Sequence, residues 1–128
     1  MDQKFYRCNH CGNLLIPILD SGVNPVCCGE AMQVLKPDEV DAAVEKHIPV
    51  INRCDDGKHI EINIGSAPHP MVEEHFIEFV VLMFENRIGT IKLSPGMEPK
   101  AVCAVDDNSI PITVYAYCNL HGLWKATA

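Results

Sequence analysis

The alternation of apolar and polar side chains predicts a chain built mainly of short β-strands. Residues 60–64 alternate strictly between isoleucine and polar residues, which is the pattern of a strand with one buried face. The Asp-Asp-Gly-Lys sequence at 55–58 predicts a hairpin turn before it, because Asp-Gly tolerates positive φ. The apolar run 76–84 is the strongest strand signal. Further extended segments are predicted at 48–51, 87–93, 100–105, 112–117 and 123–125. Short strands at this regular spacing favour an antiparallel β-sandwich.

The N-terminal part of the chain carries a weaker pattern, with one short strand predicted over 14–19. So short a segment cannot bury enough surface to fold alone without a metal or a cross-link. The sequence Lys-Pro-Asp-Glu at 36–39 marks a boundary, and a helical turn is predicted over 38–46, with acidic residues early and lysine late. We therefore expect two domains, 1–36 and 37–128.

Composition narrows the classes of function. The net charge of −7 argues against general nucleic-acid binding. No apolar run approaches the roughly eighteen residues of a membrane span, and the first residues show no apolar segment of an export signal. We therefore expect a cytoplasmic protein that binds neither nucleic acid nor a membrane. In such a chain, an odd count of seven cysteines favours metal ligands over disulfides.

Four cysteines near the N-terminus have the spacing of a metal site. Cys8 and Cys11 form a CxxC knuckle followed by glycine, and Cys27 and Cys28 add two more thiolates. Four thiolates are the full ligand set of a tetrahedral iron or zinc site, and such a metal would stabilise the small domain. A thioredoxin-type redox pair is disfavoured, because no βαβ pattern surrounds the knuckle. The adjacent pair departs from a zinc ribbon, although composition leaves zinc open. His10, inside the knuckle, is expected to be a solvated spacer.

A second set of metal-binding residue types lies in the strand-rich part. Cys118 and His121 are three residues apart, an offset that puts side chains on opposite faces of a straight strand, so the chain must turn there. His69 and His75 are too far apart along an extended chain to share a metal. The two prolines beside His69 favour a curled loop that brings the two histidines together. His47 is a further candidate.

Four imidazoles and one thiolate make five ligands. That number favours iron over tetrahedral zinc and leaves one octahedral position open, which suits a one-electron reaction with a small oxygen species. Blue copper is an alternative, since it also combines a β-sandwich with a Cys-His loop, but no axial methionine follows His121. Outside both sets, we expect His59 to be exposed, Cys54 to be a spare thiol and Cys103 to be a buried spare thiol.

Taken in order, these motifs resemble those of desulfoferrodoxin, the two-iron form of superoxide reductase, over essentially the whole chain. The residues that carry the resemblance are Cys8-x2-Cys11-Gly12, Cys27-Cys28-Gly29-Glu30-Ala31-Met32, Asp41-Ala42-Ala43 with Glu45-Lys46-His47-Ile48-Pro49-Val50, Ala67-Pro68-His69-Pro70-Met71 with His75, and Cys118-Asn119-Leu120-His121-Gly122-Leu123-Trp124-Lys125. The resemblance implies a mainly β fold: a small desulforedoxin-like, metal-stapled N-terminal domain followed by an immunoglobulin-like antiparallel β-sandwich.

The resemblance also implies two non-haem irons per chain. The first iron would be held by Cys8, Cys11, Cys27 and Cys28, and the second by His47, His69, His75 and His121 in the equatorial plane with Cys118 axial. Glu45 would ligate the resting ferric iron in the sixth position, and Lys46 would be the nearby cation.

The reaction implied by the resemblance is one-electron reduction of superoxide to hydrogen peroxide at the ferrous centre. The family is commonly homodimeric and receives electrons from rubredoxin or a similar carrier. One departure is Ala116, since relatives often carry glutamate two residues before the axial cysteine; this bears on the rate of peroxide release, not on the reaction class. Two other interpretations are a two-centre electron-transfer protein without oxygen chemistry and a zinc-stapled binding module.

Overall fold

The computed structural model describes residues 2–39 and 41–128, and the chain divides into two compact units, 2–36 and 37–128. In chain order the elements are β1 (Phe5–Arg7), β2 (Leu14–Leu15), β3 (Val26–Cys27), β4 (Glu30–Ala31), β5 (Gln33–Leu35), α1 (Val44–His47), β6 (Pro49–Arg53), β7 (His59–Ile64), β8 (Ile77–Met83), β9 (Ile88–Lys92), β10 (Lys100–Ala104), β11 (Thr113–Cys118) and β12 (Gly122–Thr127). Within the described ranges, no helix is long and apolar enough to cross a membrane.

The small unit is built from very short strands. One sheet has the order β2-β1-β5, and β3 pairs with β4 in a separate hairpin. One small cluster of its core is formed by Tyr6, Cys8 and Met32, with Cys27 and Val34 packed against them, and Phe5 is also fully buried. The strand predicted over 14–19 is too long: it ends at Leu15. The proline two residues later has no N–H to donate to a sheet, and the residues that follow it are exposed.

The larger unit is an antiparallel β-sandwich, which confirms the predicted fold class. One sheet has the order β10-β7-β6 and the other the order β12-β11-β8-β9. Residues of both sheets form one apolar cluster, whose removal from water stabilises the fold. Its central members are Ile60, Ile62, Ile64, Ile77, Val80, Leu82, Val114, Ala116 and Cys118.

The strand pairing brings three connecting segments to the same end of the sandwich. Pro49, just after α1, pairs with Ile64, so α1 lies beside the loop that follows β7. Ile77, at the start of β8, pairs with Cys118, so the same loop returns beside the turn between β11 and β12. These three segments carry all five candidate ligands of the second set.

The predicted hairpin and its strand are confirmed, but the predicted helix is shorter than expected. Residues 59–64 alternate between half-buried and buried positions, and Gly57 in the preceding turn has a φ of +71°. The helical turn predicted over 38–46 covers only Val44–His47, and Val40 lies outside the described residues. Asp38 instead has a φ of +63° and joins β12, with hydrogen bonds of 2.9 Å to the Leu123 carbonyl and 3.1 Å from the Lys125 N–H. These tertiary bonds override the local helical preference.

Candidate metal centres

The four cysteines of the small unit come together at the end of β1 and around β3. The Sγ atoms of Cys8, Cys11, Cys27 and Cys28 all lie within 4.8 Å of one another, and all are free thiols. Cys28 reaches the group from a left-handed backbone with φ of +54°, followed by glycine at +75°. This tight turn between β3 and β4 lets two adjacent cysteines face one point.

Hydrogen bonds distribute the protons unequally within this group. The backbone N–H groups of Cys11 and His10 lie 3.4 Å from Cys8 Sγ and lower the pKa of the Cys8 thiol to about 6. Side-chain bonds to Cys11, Cys8 and Cys27 raise the pKa of Cys28 to about 12. Four thiolates this close repel one another unless a cation lies among them. The donor set therefore fits one tetrahedral metal ion.

The two histidines expected to be exposed lie outside both groups. His10 pairs with Glu30 at 2.6 Å, and this hydrogen bond raises the pKa of His10. His59 bonds Asp56 in the hairpin turn. Of the two spare thiols, Cys54 is half-buried. Cys103 is also half-buried, which corrects the expectation that it is buried, and its Sγ lies 3.7 Å from an Arg87 guanidinium nitrogen.

The second set of residues meets at one end of the sandwich. His47 is the last residue of α1 and Cys118 the last of β11, while His121 lies in the turn before β12. The ligand atoms of His47, His75, Cys118 and His121 all lie within 4.8 Å of one another. His69 joins them through His47, with the two Nε2 atoms 3.2 Å apart. All five candidate ligands are thus brought together.

The curled loop predicted between His69 and His75 is present. Val72 and His75 form an isolated antiparallel bridge, with reciprocal backbone hydrogen bonds of 3.1 and 3.0 Å. This tight turn places the two imidazole centroids 4.6 Å apart. The turn at the other side of the site contains Gly122, whose φ of +76° explains how Cys118 and His121 reach one side.

The hydrogen bonds of two imidazoles fix which ring nitrogen carries the proton, and the nitrogens that face each other carry unprotonated lone pairs. His47 Nδ1 lies 2.7 Å from the Ala43 carbonyl oxygen, and His69 Nδ1 lies 2.7 Å from the Pro70 carbonyl oxygen. A carbonyl only accepts, so both Nδ1 atoms carry the proton and both Nε2 atoms are bare. These two bare Nε2 atoms face each other and cannot hydrogen-bond. A cation between them would satisfy both, and carbonyl-fixed tautomers are typical of metal-binding histidines.

Two further atoms fit the same conclusion. His121 Nδ1 lies 3.2 Å from His47 Nε2 and 3.8 Å from Cys118 Sγ. The Nε2 atom of His75 is buried and has no hydrogen-bond partner. A buried nitrogen without a partner is costly unless a metal takes the lone pair. The residues present therefore fit a metal ion that takes imidazole and thiolate ligands.

Burial sets the charges of the site. It lowers the pKa of His69 to about 4 and also lowers the pKa values of His47 and His75, so these imidazoles are neutral at pH 7. Burial raises the pKa of the Cys118 thiol, the backbone N–H groups of His121 and Leu120 oppose this, and the charge of Glu78 raises the pKa by the smallest of these effects. A bound metal would have to displace the Cys118 proton.

The small effect of Glu78 on Cys118 comes from a position that the sequence did not indicate. Ala116 is fully buried in the sandwich core, so position 116 supplies no carboxylate. Glu78 belongs to β8, where the pairing with β11 shifts by one residue between Tyr117 and Cys118. Such a β-bulge re-aims side chains, and bulges are frequent beside functional sites.

Trp124 is a supporting residue that sequence reasoning gave no role. Its ring stacks on His47, with centroids 4.8 Å apart, and its Nε1–H donates to the His121 carbonyl at 3.1 Å. Two ligand-bearing segments are therefore held by one side chain of β12. Its place in the run Cys118–Lys125, on which the family resemblance rests, was the signal available in the sequence.

Glu45 and Lys46 lie on α1 directly before His47 and are both exposed. Neither is within the converging group of ligand atoms. Their charges nevertheless act on the site, since Glu45 raises and Lys46 lowers the pKa of His47, and Lys46 also lowers that of His75, each as a smaller effect than burial. They form a charged rim beside the buried imidazoles.

Comparison with known proteins gives consistent relatives. A family model described as Desulfoferrodoxin matches residues 39–127. A desulfoferrodoxin from Syntrophotalea carbinolica is 43% identical over 124 residues, covering 96% of this chain and 94% of that protein. One from Nitratidesulfovibrio vulgaris is 38% identical over 125 residues, covering 98% and 96%. The crystal structure of a superoxide reductase from Treponema pallidum is 26% identical with a TM-score of 0.79, covering 98% of this chain and 97% of that one.

Proposed function

The chain belongs to the desulfoferrodoxin family, and we propose that it is a superoxide reductase, which reduces superoxide by one electron to hydrogen peroxide. The observation that carries this proposal is the convergence of two buried and two half-buried imidazoles on one buried thiolate, with bare nitrogens facing each other. A superoxide reductase, the one from Treponema pallidum, also has a similar structure over nearly the whole chain.

We propose a role for each compact unit. Residues 1–36 would form the desulforedoxin-like domain that holds one iron through Cys8, Cys11, Cys27 and Cys28. Residues 37–128 would form the superoxide reductase domain, whose iron is held by His47, His69, His75, His121 and Cys118. Five donors favour iron over tetrahedral zinc at this second centre and leave a position for a small ligand. The tiny core of the first unit supports a stabilising role for its metal.

In this proposal, bound iron supplies the single electron, and the protein supplies charge, position and access. Buried neutral imidazoles add no charge, so the Cys118 thiolate is the anionic ligand. Lys46, exposed at the rim, attracts the superoxide anion towards a chain whose net charge is −7. Glu45 would supply a carboxylate ligand to the iron when substrate is absent. Superoxide gains this electron together with two protons from water, and it leaves as hydrogen peroxide.

The proposed partners follow from the family and from one surface. We propose a rubredoxin-like electron donor, a homodimer and a cytoplasmic location. The small unit also exposes several large apolar side chains, which a partner that docks on this unit would cover. These side chains are Ile18, Leu19, Val23 and Val26.

The decisive test is metal content and an optical spectrum of anaerobically purified protein, before and after titration with superoxide. We expect two irons per chain and a thiolate-to-ferric absorption band from the second site after one-electron oxidation. Zinc at both sites would instead indicate a metal-stapled binding module. Two irons that do not react with superoxide would indicate an electron-transfer protein.

A further inference from the structure

The Asn119 side chain connects the two loops that carry most of the second site. Asn119 lies between Cys118 and His121 and is half-buried. Its Oδ1 accepts a 3.0 Å hydrogen bond from the Phe76 N–H, and its Nδ2 donates to the Glu74 carbonyl at 3.2 Å. Its own backbone N–H donates to the Phe76 carbonyl at 3.2 Å. Three bonds therefore hold the residues on both sides of His75.

These bonds stand where regular strand pairing ends. The β8–β11 ladder is regular as far as Tyr117, shifts by one residue, and finishes at the pair of Ile77 with Cys118. Before Ile77, the loop has the isolated bridge between Val72 and His75, and its residues 72–74 are exposed. Packing therefore does little to fix the loop. The Asn119 amide continues the connection between strands where the backbone ladder stops.

We propose that Asn119 is a positioning residue, which sets where the His75 imidazole lies relative to Cys118 Sγ and so determines metal affinity at the second centre. This inference rests on the proposed metal centre, but it does not depend on the reaction with superoxide. His75 Nε2 is buried without a partner, so its placement depends on the backbone at 74 and 76. Those are the backbone groups that Asn119 bonds.

The chain offers a matched control at Asn108. Its Nδ2 donates to the carbonyls of Cys54 and His59 at 2.7 and 2.9 Å, so it also ties a loop to neighbouring backbone. None of those residues belongs to either metal group. Asn108→Ala therefore removes two comparable hydrogen bonds and tests for a purely structural effect.

The experiment is titration of the metal-free full-length protein with Co²⁺, for wild type, Asn119→Ala, Asn119→Asp and Asn108→Ala. Cobalt gives separate thiolate charge-transfer bands for the two centres, and the melting temperature is measured on the same samples. For Asn119→Ala we expect about 10- to 100-fold weaker binding at the second centre with a shifted band, the range typical of losing a partner that orients a ligand. Binding at the four-cysteine centre should be unchanged.

The two other variants make the result decisive. Asn119→Asp keeps the acceptor for Phe76 but loses the donor to Glu74, so its affinity should lie between wild type and Asn119→Ala. Asn108→Ala should lower the melting temperature and leave the second centre unaffected. Wild-type affinity and spectrum in both Asn119 variants, or an equal loss in Asn108→Ala, would overturn the role of Asn119. Failure of the wild-type protein to bind a second metal would overturn the proposed function instead.

Discussion

At the residue scale, the second centre depends on proton positions that backbone carbonyls determine. The carbonyl oxygens of Ala43 and Pro70 each accept a hydrogen bond from the Nδ1–H of a histidine, so the Nε2 of that histidine is bare. Neither residue has a polar side chain, so no motif could have pointed to it. The sequence indicates which imidazoles are available, and the fold decides which nitrogen each imidazole presents.

Lys46→Ala tests the proposed attraction of superoxide. Removing the only rim cation on α1 should slow superoxide capture at low ionic strength by about tenfold, because local charge raises association rates of an oppositely charged substrate. The difference should shrink as salt is added, since screening weakens the interaction of exposed charges. The measurement is pulse-radiolysis kinetics across a salt series, with the iron spectrum recorded on each sample.

Lys58→Ala is the matched control for that experiment. Lys58 lies in the hairpin turn at the far end of β6 and β7 from α1, and its ammonium donates to the Asp106 carbonyl. The variant has the same net charge as Lys46→Ala. Equal slowing in the two variants would assign the effect to net charge, and an unchanged rate in Lys46→Ala at low salt would contradict the proposed role.

At the element scale, the loop after β7 packs closely against the backbone of α1. Gly65 has a φ of +85°, and a Cβ there would press against the Ala67 carbonyl oxygen and lie 2.7 Å from the carbonyl oxygen of Lys46. The Ala67 N–H also donates to the Glu45 carbonyl at 2.9 Å. The segment that carries Glu45, Lys46 and His47 therefore lies directly on this glycine.

Gly65→Ala should destabilise the protein and weaken metal binding at the second centre. The left-handed backbone alone costs an L-residue about 1–2 kcal/mol, and the blocked approach to α1 adds about 1–3 kcal/mol of overpacking. Gly57→Ala is the comparison, because Gly57 has a similar φ of +71° and open space around its Cβ position. Denaturant unfolding and iron affinity are measured on both variants. Equal losses of stability, with iron affinity retained in both, would contradict the supporting role of Gly65.

Comparison of the predicted elements with those of the structure shows which parts of the fold and of the site local sequence signals determine. Alternation identified β7 and turn chemistry identified its hairpin, because both signals are local. The strand ending at Leu15 and the shortened helix were mispredicted where proline and tertiary bonds to β12 intervene. Metal-ligand residue types and the curled loop were readable from spacing. The position of Asn119 was not, because its hydrogen bonds join residues more than forty positions apart.

At the scale of the whole molecule, the metal-binding end of the larger unit is a cluster of bases kept neutral by burial. Three of its imidazoles have lowered pKa values, that of His69 being about 4, whereas the ordinary value is 6.5. Without metal, the unfolded chain therefore binds more protons than the folded chain between these values. The contribution of these imidazoles to folding stability is fully present above about pH 6.5 and is lost as the pH falls towards about 4.

The metal-free protein should therefore unfold more easily in mild acid. The free energy of unfolding should fall by about 1.4 kcal/mol per pH unit for each imidazole that is neutral when folded and charged when unfolded. Trp124, the chain's single tryptophan, stacks on His47, so its fluorescence reports unfolding of the larger unit. Denaturant unfolding of the apoprotein from pH 7 to pH 4.5 gives the slope. His69→Gln removes one buried base and should lower the slope by about one proton, and a slope equal to wild type would show that His69 is not held neutral by the fold.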